Sequence, residues 1–269
     1  MGELRQTELV VIGAGPGGYA AAFRAADLGK QVLLIDRDPE LGGVCLNRGC
    51  IPSKALLHIS KVMDEATKLE KMGVKYGKPE IDIDQVRDHK NKIVSQLNSG
   101  IAQMANARKV ETIQGLASFV SNTELKVQTD TNDVTITFGQ CIIAGGSTSA
   151  MIPGVPTDHP SVITSRTALD LEDIPERLLV VGGGAIGLEL GQVYAALGTK
   201  VSVVEYLPNL LPGTDSDLVK PLQRKLKKQC EAIQLSSKVT KVEANKDGTL
   251  TVTIKNEKGS STEVFNKVL

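Results

Sequence analysis

One pattern occurs twice in this sequence, and the repetition restricts the fold more than any other feature. In the first copy, a short apolar run at residues 8–12 leads into a Gly-x-Gly-x-x-Gly turn at residues 13–18. A helical stretch follows to about Leu28, and a second apolar run, Val32–Ile35, stops at Asp36. Strand, glycine turn, helix, strand and terminal acid in this order predict a βαβ unit that binds a dinucleotide.

The three glycines of this turn each meet a separate steric requirement. Gly13 permits the tight turn, Gly15 lets the backbone approach a pyrophosphate, and Gly18 allows the helix to pack closely against the strand. The N-terminus of the helix offers backbone N–H groups to the phosphates. Asp36 ends the second strand and is placed to accept hydrogen bonds from a ribose diol.

The second copy lies 169 positions further along the chain. Gly13, Gly15, Gly18, Leu28, Gly29, Val32 and Asp36 correspond in order to Gly182, Gly184, Gly187, Leu197, Gly198, Val201 and Glu205. This internal repeat predicts two dinucleotide sites, one in each domain. No arginine follows Glu205 closely, and its carboxylate would repel a 2′-phosphate, so the second site is expected to prefer NAD to NADP.

The other segments complete two domains of the same kind. Helices are expected at residues 53–69, 84–108 and 215–229, and further strands at 123–127, 133–138, 141–144, 238–244, 249–254 and 261–269. The strands alternate polar and apolar residues, which predicts an antiparallel meander in each domain. The segment Ser147–Pro160 contains three prolines and a glycine and is predicted to connect the domains, with the boundary near residue 150.

The predicted fold class is therefore α/β, with two Rossmann-like βαβ dinucleotide-binding domains that each carry an antiparallel β-meander. Residues 1–150 are assigned to the first domain and residues 151–269 to the second. The first meander leads into a strand that closes on Gly145-Gly146, whereas the matching strand of the second stops at Leu269 before any glycine. The second domain is expected to be truncated and the first to lack a C-terminal segment, so that the C-terminal part of the protein is missing.

The composition excludes several functions. Lys and Arg together number 31, as do Asp and Glu, so the formal charge is zero and no nucleic-acid-binding surface is implied. Residues 1–8 are polar and mixed in charge, unlike a signal or transit peptide. No apolar run approaches the roughly 20 residues of a membrane span. These features predict a soluble, cytoplasmic protein.

Two of the four cysteines, Cys45 and Cys50, are close together in the sequence. In a regular helix the Cα atoms of residues i and i+5 lie roughly 8–9 Å apart, beyond the roughly 7 Å that a disulfide can span. An oxidised Cys45–Cys50 pair must therefore distort its segment, which Gly49 and Pro52 favour. A strained bridge is easily reduced, so this pair is typical of a redox shuttle.

The neighbouring residues add little by themselves. Lys54 follows Cys50 by one helical turn on the same face, where an ordinary solvated lysine is the simpler interpretation. Cys141 is expected to be buried and inert in a strand, and Cys230 has no partner evident in the sequence. A zinc site would need further ligands, and no His or Cys cluster supplies them, so no metal is predicted.

Residues 42–57, GGVCLNRGCIPSKALL, closely resemble the redox-active segment of dihydrolipoamide dehydrogenases, the flavoprotein components of 2-oxo acid dehydrogenase complexes. Residues 182–191, GGGAIGLELG, resemble the NAD fingerprint of the same family. Glutathione and mercuric reductases share this architecture, but Leu46, Ser53 and Glu205 are more similar to the lipoamide enzymes. The resemblance covers essentially the whole chain.

The resemblance implies FAD in the first site and NAD in the second. Cys45 would exchange with the dithiol substrate, Cys50 would contact the flavin, and Lys54 would lie near the flavin N5, paired with Glu189. An alternative for Glu189 is an acid in the first turn of a helix that complements the helix dipole. The residues implied in cofactor binding are Gly13, Gly15, Gly18, Asp36, Gly43, Lys54 and Gly146 for FAD, and Gly182, Gly184, Ile186, Gly187 and Glu205 for NAD, with Ile186 beside the nicotinamide.

The implied activity is oxidation of protein-bound dihydrolipoamide to lipoamide with reduction of NAD. The implied partners are the lipoamide-bearing E2 component of 2-oxo acid dehydrogenase complexes, or the H protein of glycine cleavage, and a second subunit in a homodimer. The family's catalytic base is a histidine of a C-terminal interface domain, and His58, His89 and His159 lie outside that context, so this chain alone is not expected to be fully active. The alternatives are another disulfide reductase of this class, or a non-catalytic dinucleotide-binding fragment.

One position departs from the family pattern. The sequence Ala144-Gly145-Gly146-Ser147 has Gly145 where the family usually has threonine. The missing hydroxyl is expected to alter local hydrogen bonding but not the fold.

Overall fold

The computed structural model describes residues 3–150, 152 and 154–269. They form two compact units: the chain up to Pro52 with Asn91–Thr148, and Ser53–Lys90 with Ser149–Leu269. The division at residue 148 lies beside the boundary expected near residue 150. Residues 53–90, which the sequence-based boundary assigns to the first domain, group with the second unit. The predicted connecting segment, 147–160, includes residues 151 and 153, which lie outside the described residues.

The first unit contains the first copy of the repeated pattern. Its elements in chain order are β1 (Glu3–Ile12), α1 (Pro16–Asp27), β2 (Val32–Asp36), α2 (Gly43–Arg48), the beginning of α3 (Cys50–Leu69), most of α4 (Ile83–Ala107), β3 (Glu111–Gln114), β4 (Leu116–Ser121), β5 (Glu124–Gln128) and β6 (Asp133–Ile143). The strands form one sheet in the order β3-β2-β1-β6-β5-β4. The first four strands are parallel, and β4, β5 and β6 form the predicted antiparallel meander.

The prediction of separate strands at 133–138 and 141–144 is wrong, because β6 is continuous. Its first part pairs with β5 in antiparallel fashion, and it pairs with β1 in parallel from Val134 to Ile143. This long ladder with β1 keeps the strand extended through Gly139. Strand β1 likewise begins at Glu3, five residues before the predicted start, because its polar half pairs with β6.

The second unit repeats the parallel arrangement with separate sheets. It contains most of α3, the beginning of α4, α5 (Ser165–Ala168), β7 (Arg177–Val181), α6 (Ala185–Ala196), β8 (Lys200–Val204), α7 (Ser216–Gln229), β9 (Ala232–Gln234), β10 (Lys238–Ala244), β11 (Leu250–Asn256), β12 (Gly259–Phe265) and β13 (Lys267–Val268). One sheet has the parallel order β13-β7-β8-β9, and the other has the antiparallel order β10-β11-β12. The parallel order matches β6-β1-β2-β3 of the first unit, so the sequence repeat is also a repeat of topology.

The single strand predicted at 261–269 is two strands in different sheets. Asn266 separates β12 from β13 and is fixed against the start of β7 by two hydrogen bonds. Its backbone amide donates to the Arg177 carbonyl at 3.0 Å, and its side-chain oxygen accepts from the Arg177 amide at 2.8 Å. These bonds turn the chain from the meander back to the parallel sheet, where β13 pairs with β7.

The central parallel strands are buried on both faces, which explains their continuous apolar sequences. In β1, Leu9 and Val11 pack in the cluster that contains Phe23 of α1, whereas Val10 packs in the cluster that contains Leu125 of the meander. The residues of β7 alternate in the same way between the two clusters of the second unit. Within the described residues, no helix is both long enough and apolar enough to cross a membrane.

Candidate functional site

The first glycine turn has no room for side chains at two of its three glycines. Gly13 has φ +96°, and a Cβ added there would lie 2.2 Å from the carbonyl oxygen of Ala144. A Cβ on Gly18 would lie 1.7 Å from the carbonyl oxygen of Gly13. The turn therefore packs directly against the end of β6, as the glycine pattern predicts. Gly15 is the N-cap of α1 and provides no side-chain cap, so the helix N-terminus is open to a ligand.

Asp36 at the end of β2 and Glu205 directly after β8 lie 169 positions apart and make equivalent hydrogen bonds. Asp36 accepts from the amide of Ala14 at 2.5 Å and from the amide of Asp38 at 3.0 Å. Glu205 accepts from the amide of Gly183 at 2.6 Å and from the amide of Leu207 at 2.7 Å. Each acid thus holds its glycine turn, a role that was not predicted. A carboxylate oxygen can accept more than one hydrogen bond, so both acids remain able to accept from a ribose.

A pocket of about 490 Å³ opens at the carboxyl ends of the parallel strands in the first unit. It is lined by the glycine turn, residues 36–38, 43–45, Arg48, 115–117 and 144–147. The pocket lies where the connections from β1 and β6 diverge, which is the usual ligand position in an open α/β sheet. It brings together Gly13, Gly15, Asp36, Gly43, Cys45 and Gly146 from the predicted site residues.

The cysteine segment starts directly on the glycine turn. The amide of Gly42 donates to the carbonyl of Ala14 at 2.8 Å, and a Cβ on Gly43 would lie 2.5 Å from the Cα of Gly15. Only glycine at position 43 allows this contact between the two backbones. Helix α2 therefore begins at the pocket, and Cys45 lines it.

The expected break in the helix between the two cysteines is present. Helix α2 ends at Arg48, and α3 begins at Cys50, three residues before the predicted start. A Cβ on Gly49 would lie 2.8 Å from the Val44 carbonyl oxygen and 3.3 Å from the Cα of Cys45, so the chain turns closely past Cys45 here. Pro52 falls in the first turn of α3, where proline is tolerated.

Lys54 and Glu189, both in the second unit, form an ion pair. The Lys54 Nζ lies 2.8 and 2.7 Å from the two carboxylate oxygens of Glu189, and the Ser53 hydroxyl donates to the same carboxylate at 3.4 Å. Glu189 is the fifth residue of α6, and the first turn of that helix contains no acid. The explanation of Glu189 as a first-turn acid is therefore wrong. Lys54 is not the isolated solvated lysine of the simpler interpretation.

The second glycine turn borders a pocket of about 540 Å³. The pocket is lined by Gly182, Gly184, Ile186 and Gly187 together with apolar residues of β7 and β13. Gly182 has φ +109°, and a Cβ on Gly187 would lie 2.8 Å from the Gly182 carbonyl oxygen. Ile186 is 63% exposed, although it is a large apolar residue. A smaller adjoining cavity of about 400 Å³ is lined by Glu205, Tyr206 and Lys238.

Both glycine turns fit a dinucleotide by their own geometry. The contacts of Gly18 and Gly187 draw the helix onto the turn, and neither α1 nor α6 has a side-chain cap at its N-terminus. The residues that line these pockets and were not predicted as site residues include the polar side chains of Asp38, Arg48, Tyr206 and Lys238. Arg48 could have been found, because it lies between the two cysteines, whereas the others need the structure to be placed.

The other two cysteines lie apart from the pockets. Cys141 is in β6 and Cys230 ends α7, and burial raises the pKa of each thiol above its ordinary value. Raised pKa values disfavour the reactive thiolate, but Cys141 is half-buried rather than buried as predicted. Across residues 3–150, 152 and 154–269, no group of three or more potential metal ligands occurs.

Comparison with known proteins agrees with this geometry. The chain is 44% identical over 265 residues to dihydrolipoyl dehydrogenase from Haemophilus influenzae, covering 98% of this chain and 55% of that protein. It is 41% identical over 251 residues to the mitochondrial dihydrolipoyl dehydrogenase of Dictyostelium discoideum, covering 93% of this chain and 51% of the relative. The chain thus spans about half the length of the curated relatives that it matches.

The fold is similar to that of a solved structure, the Cu(II) complex of the HOCl-induced flavoprotein disulfide reductase RclA from Escherichia coli. The TM-score is 0.82 at 26% identity, over 98% of this chain and 56% of that one. The family model described as pyridine nucleotide-disulphide oxidoreductase matches residues 7–268. The chain therefore belongs to the pyridine nucleotide-disulphide oxidoreductase family.

Proposed function

We propose that the protein is a flavin-dependent disulfide oxidoreductase that oxidises protein-bound dihydrolipoamide and reduces NAD. The observation that carries this proposal is the contact between Gly43 and Gly15, because it sets the helix of Cys45 directly on the first glycine turn. A reactive sulfur and a dinucleotide-binding turn then share one pocket. The dihydrolipoyl dehydrogenases that the chain resembles support this choice of substrate.

The first pocket is proposed to hold FAD. Gly13, Gly15 and Gly18 form the turn, Asp36 accepts from the ribose, and Gly43 and Gly146 line the adjacent wall. When bound, the flavin would supply a two-electron carrier between the dithiol and NAD. The open N-terminus of α1 is placed to bind the phosphates through its backbone amides.

Cys45 and Cys50 are proposed to form the redox-active disulfide. A substrate thiolate attacks the sulfur of Cys45, which forms a mixed disulfide and releases Cys50 as a thiolate. The second substrate thiolate then attacks its own mixed disulfide, which closes lipoamide and releases Cys45 as a thiolate. The substrate is oxidised by two electrons, and the cysteine pair is reduced by two.

Lys54 is proposed to place its positive charge at the flavin, with Glu189 as the residue that orients it. The bidentate contact holds the Lys54 ammonium in one position. A fixed cation of this kind stabilises negative charge that develops nearby.

The second pocket is proposed to hold NAD. Gly182, Gly184 and Gly187 form the turn, Ile186 lies beside the nicotinamide, and Glu205 accepts from the ribose. The Glu205 carboxylate would repel a 2′-phosphate, which favours NAD over NADP. The proposed partners are lipoamide-bearing proteins, namely the E2 component of 2-oxo acid dehydrogenase complexes or the H protein of glycine cleavage, and a second copy in a homodimer.

The experiment that tests this function is a titration of the purified full-length protein with dihydrolipoamide, followed by visible absorbance. We expect a yellow protein that gains a long-wavelength thiolate-to-flavin band and reduces NAD, and Cys45→Ser should abolish NAD reduction. A colourless protein that does not bind added FAD would refute the proposal. Faster turnover with glutathione disulfide or mercuric ion would instead assign the protein to another reductase of the family.

A further inference from the structure

Arg48 lies between the two cysteines, and the proposed function gives it no role. It is the last residue of α2 and lines the first pocket together with Cys45 and Asp36. Its side chain is only 16% exposed. A charged side chain this far from water needs compensating contacts.

The protein supplies one such contact. The Arg48 guanidinium donates through Nη2 to the carboxylate of Asp38, which is itself 24% exposed. The backbone amide of Asp38 donates to Asp36 at 3.0 Å, so the ion pair is attached to the acid that ends β2. A guanidinium has five N–H donors, and the hydrogen bond to Asp38 is made through one of its terminal nitrogens, Nη2. The other N–H groups of the guanidinium can therefore donate to a ligand in the pocket that Arg48 lines.

The charge of the surrounding wall indicates the kind of acceptor. The same pocket contains the N-terminus of α1, where Gly15 provides no cap and the helix dipole favours an anion. The Asp38 carboxylate forms an ion pair with Arg48, and the Asp36 carboxylate accepts hydrogen bonds from two backbone amides. Both carboxylates of this wall are thus already bound, so that an anion at the N-terminus of α1 would not meet an unpaired negative charge from either of them. Guanidinium groups bind phosphate oxygens through paired hydrogen bonds.

We propose that Arg48 binds the pyrophosphate of the dinucleotide in the first pocket and that Asp38 positions it. This inference rests on the proposed function, because it takes FAD to be the occupant. The pyrophosphate would then be bound both by the backbone amides of α1 and by the Arg48 side chain of α2. Arg48 would thus link the helix that contains Cys45 to the cofactor.

A different role for Arg48 would be structural. As a cation in the last turn of α2 it complements the helix dipole, and its ion pair ties α2 to the loop after β2. A structural role predicts equal effects on all ligands of the pocket. A role in pyrophosphate binding predicts an effect only on ligands that carry phosphate.

The test compares ADP with adenosine as competitors of FAD. The protein is freed of flavin, FAD binding is followed by fluorescence, and ADP and adenosine are each used to displace it from wild-type protein and from Arg48→Gln. We expect Arg48→Gln to weaken FAD and ADP by about tenfold or more, the loss of one charge-assisted hydrogen-bonded contact. Adenosine should change by less than about twofold, since it carries no phosphate for a charge-assisted bond.

Three further variants keep the test decisive. Arg48→Lys retains the charge and should restore part of the ADP affinity. Asp38→Asn retains the cation and should weaken ADP less than Arg48→Gln does. Arg108→Gln removes an arginine from a comparable ion pair with Asp27 outside the pocket, and it should leave both ligands unchanged.

The outcomes separate the two proposals. Parallel weakening of ADP and adenosine, or no weakening of ADP, would overturn the role of Arg48 while leaving FAD as the occupant. Failure of wild-type protein to bind FAD at all would overturn the proposed function instead. If Arg48→Gln does not fold, Arg48→Lys decides between a role in pyrophosphate binding and a structural role. Lysine lacks the paired donors of the guanidinium, so Arg48→Lys should still weaken ADP more than adenosine if Arg48 binds the pyrophosphate.

Discussion

The carboxylate of Glu205 accepts a hydrogen bond of 2.6 Å from the backbone amide of Gly183, inside the second glycine turn. Glu205 is 7% exposed, so this bond is shielded from water. Asp36 makes the corresponding bond to Ala14 in the first turn. The acid proposed to select the ribose is therefore also part of the structure that shapes the phosphate-binding turn. We therefore expect cofactor preference and local stability to be coupled at this residue.

We expect Glu205→Gln to lower the free energy of unfolding by about 1–3 kcal/mol, because the amide group offers a single acceptor oxygen to two backbone donors and leaves one unpaired. NAD affinity should fall as well, and NADP affinity should rise little because no cation replaces the acid. Chemical denaturation and NAD titration measure the two effects. Glu243→Gln on the exposed surface of β10 is the control and should change the unfolding free energy by less than about 0.5 kcal/mol. Unchanged stability in Glu205→Gln would show that the acid does not hold the turn.

A second prediction contrasts two glycines beside the first pocket. A side chain at Gly18 would collide with the Gly13 backbone, whereas a Cβ at Gly145 meets nothing within 4 Å, and its φ is not positive. Gly18→Ala should destabilise the first unit by more than about 3 kcal/mol or prevent folding. Gly145→Thr, which introduces the usual family residue, should be neutral or more stable by up to about 1 kcal/mol. Thermal unfolding of both variants checks this contrast, and a strongly destabilised Gly145→Thr would contradict it.

A third prediction concerns Lys54 and Glu189, whose side chains are 59% and 31% exposed. An exposed ion pair contributes little to stability, so Lys54→Met should change the unfolding free energy by less than about 1 kcal/mol. If the lysine acts at the flavin, dihydrolipoamide-dependent NAD reduction by the full-length protein should fall by about tenfold or more. Lys61→Met, which breaks an exposed pair with Glu65 in the same helix, is the matched control for both measurements. Equal activity in the two variants would assign Lys54 a structural role only.

The parts of the structure that could be predicted are those specified by local sequence. The glycine turns are specified by a short glycine pattern, and the flanking strands are continuous apolar runs, so both glycine turns and both βαβ units follow from the repeat. The break between Cys45 and Cys50 follows from the geometry of a helix. The pairing of Lys54 with Glu189 was predicted only by family resemblance, because the two residues are far apart in the sequence.

The features that were missed depend on pairing and packing between distant residues. Strands β3 and β9 are short and lack a continuous apolar run, and each is formed by its parallel neighbour. The assignment of residues 53–90 to the second unit depends on contacts that no local pattern reveals. Leu56 packs in the core of that unit, and Arg87 donates to the backbone carbonyl of Asp170 at 2.9 Å.

The last prediction concerns Lys90 of α4, which is 6% exposed and donates to the carbonyl of Leu169 at 2.7 Å. Burial lowers the pKa of Lys90 below the ordinary 10.5, and the Arg87 charge lowers it further, while Asp170 opposes the shift. At pH values between the lowered native pKa and 10.5, Lys90 is protonated to a greater extent in the unfolded chain than in the folded protein. The contribution of Lys90 to the free energy of unfolding therefore increases as the pH rises through this range. Lys90→Met removes the titrating group, so the stability of wild-type protein relative to the variant should increase as the pH rises from the lowered native pKa towards 10.5, by at most about 1.4 kcal/mol per pH unit. Denaturant unfolding at several pH values measures this difference, and Lys92→Met, an exposed lysine in the same helix, should show no such trend. A difference between wild type and Lys90→Met that stays constant with pH would mean that Lys90 is not desolvated in the folded protein.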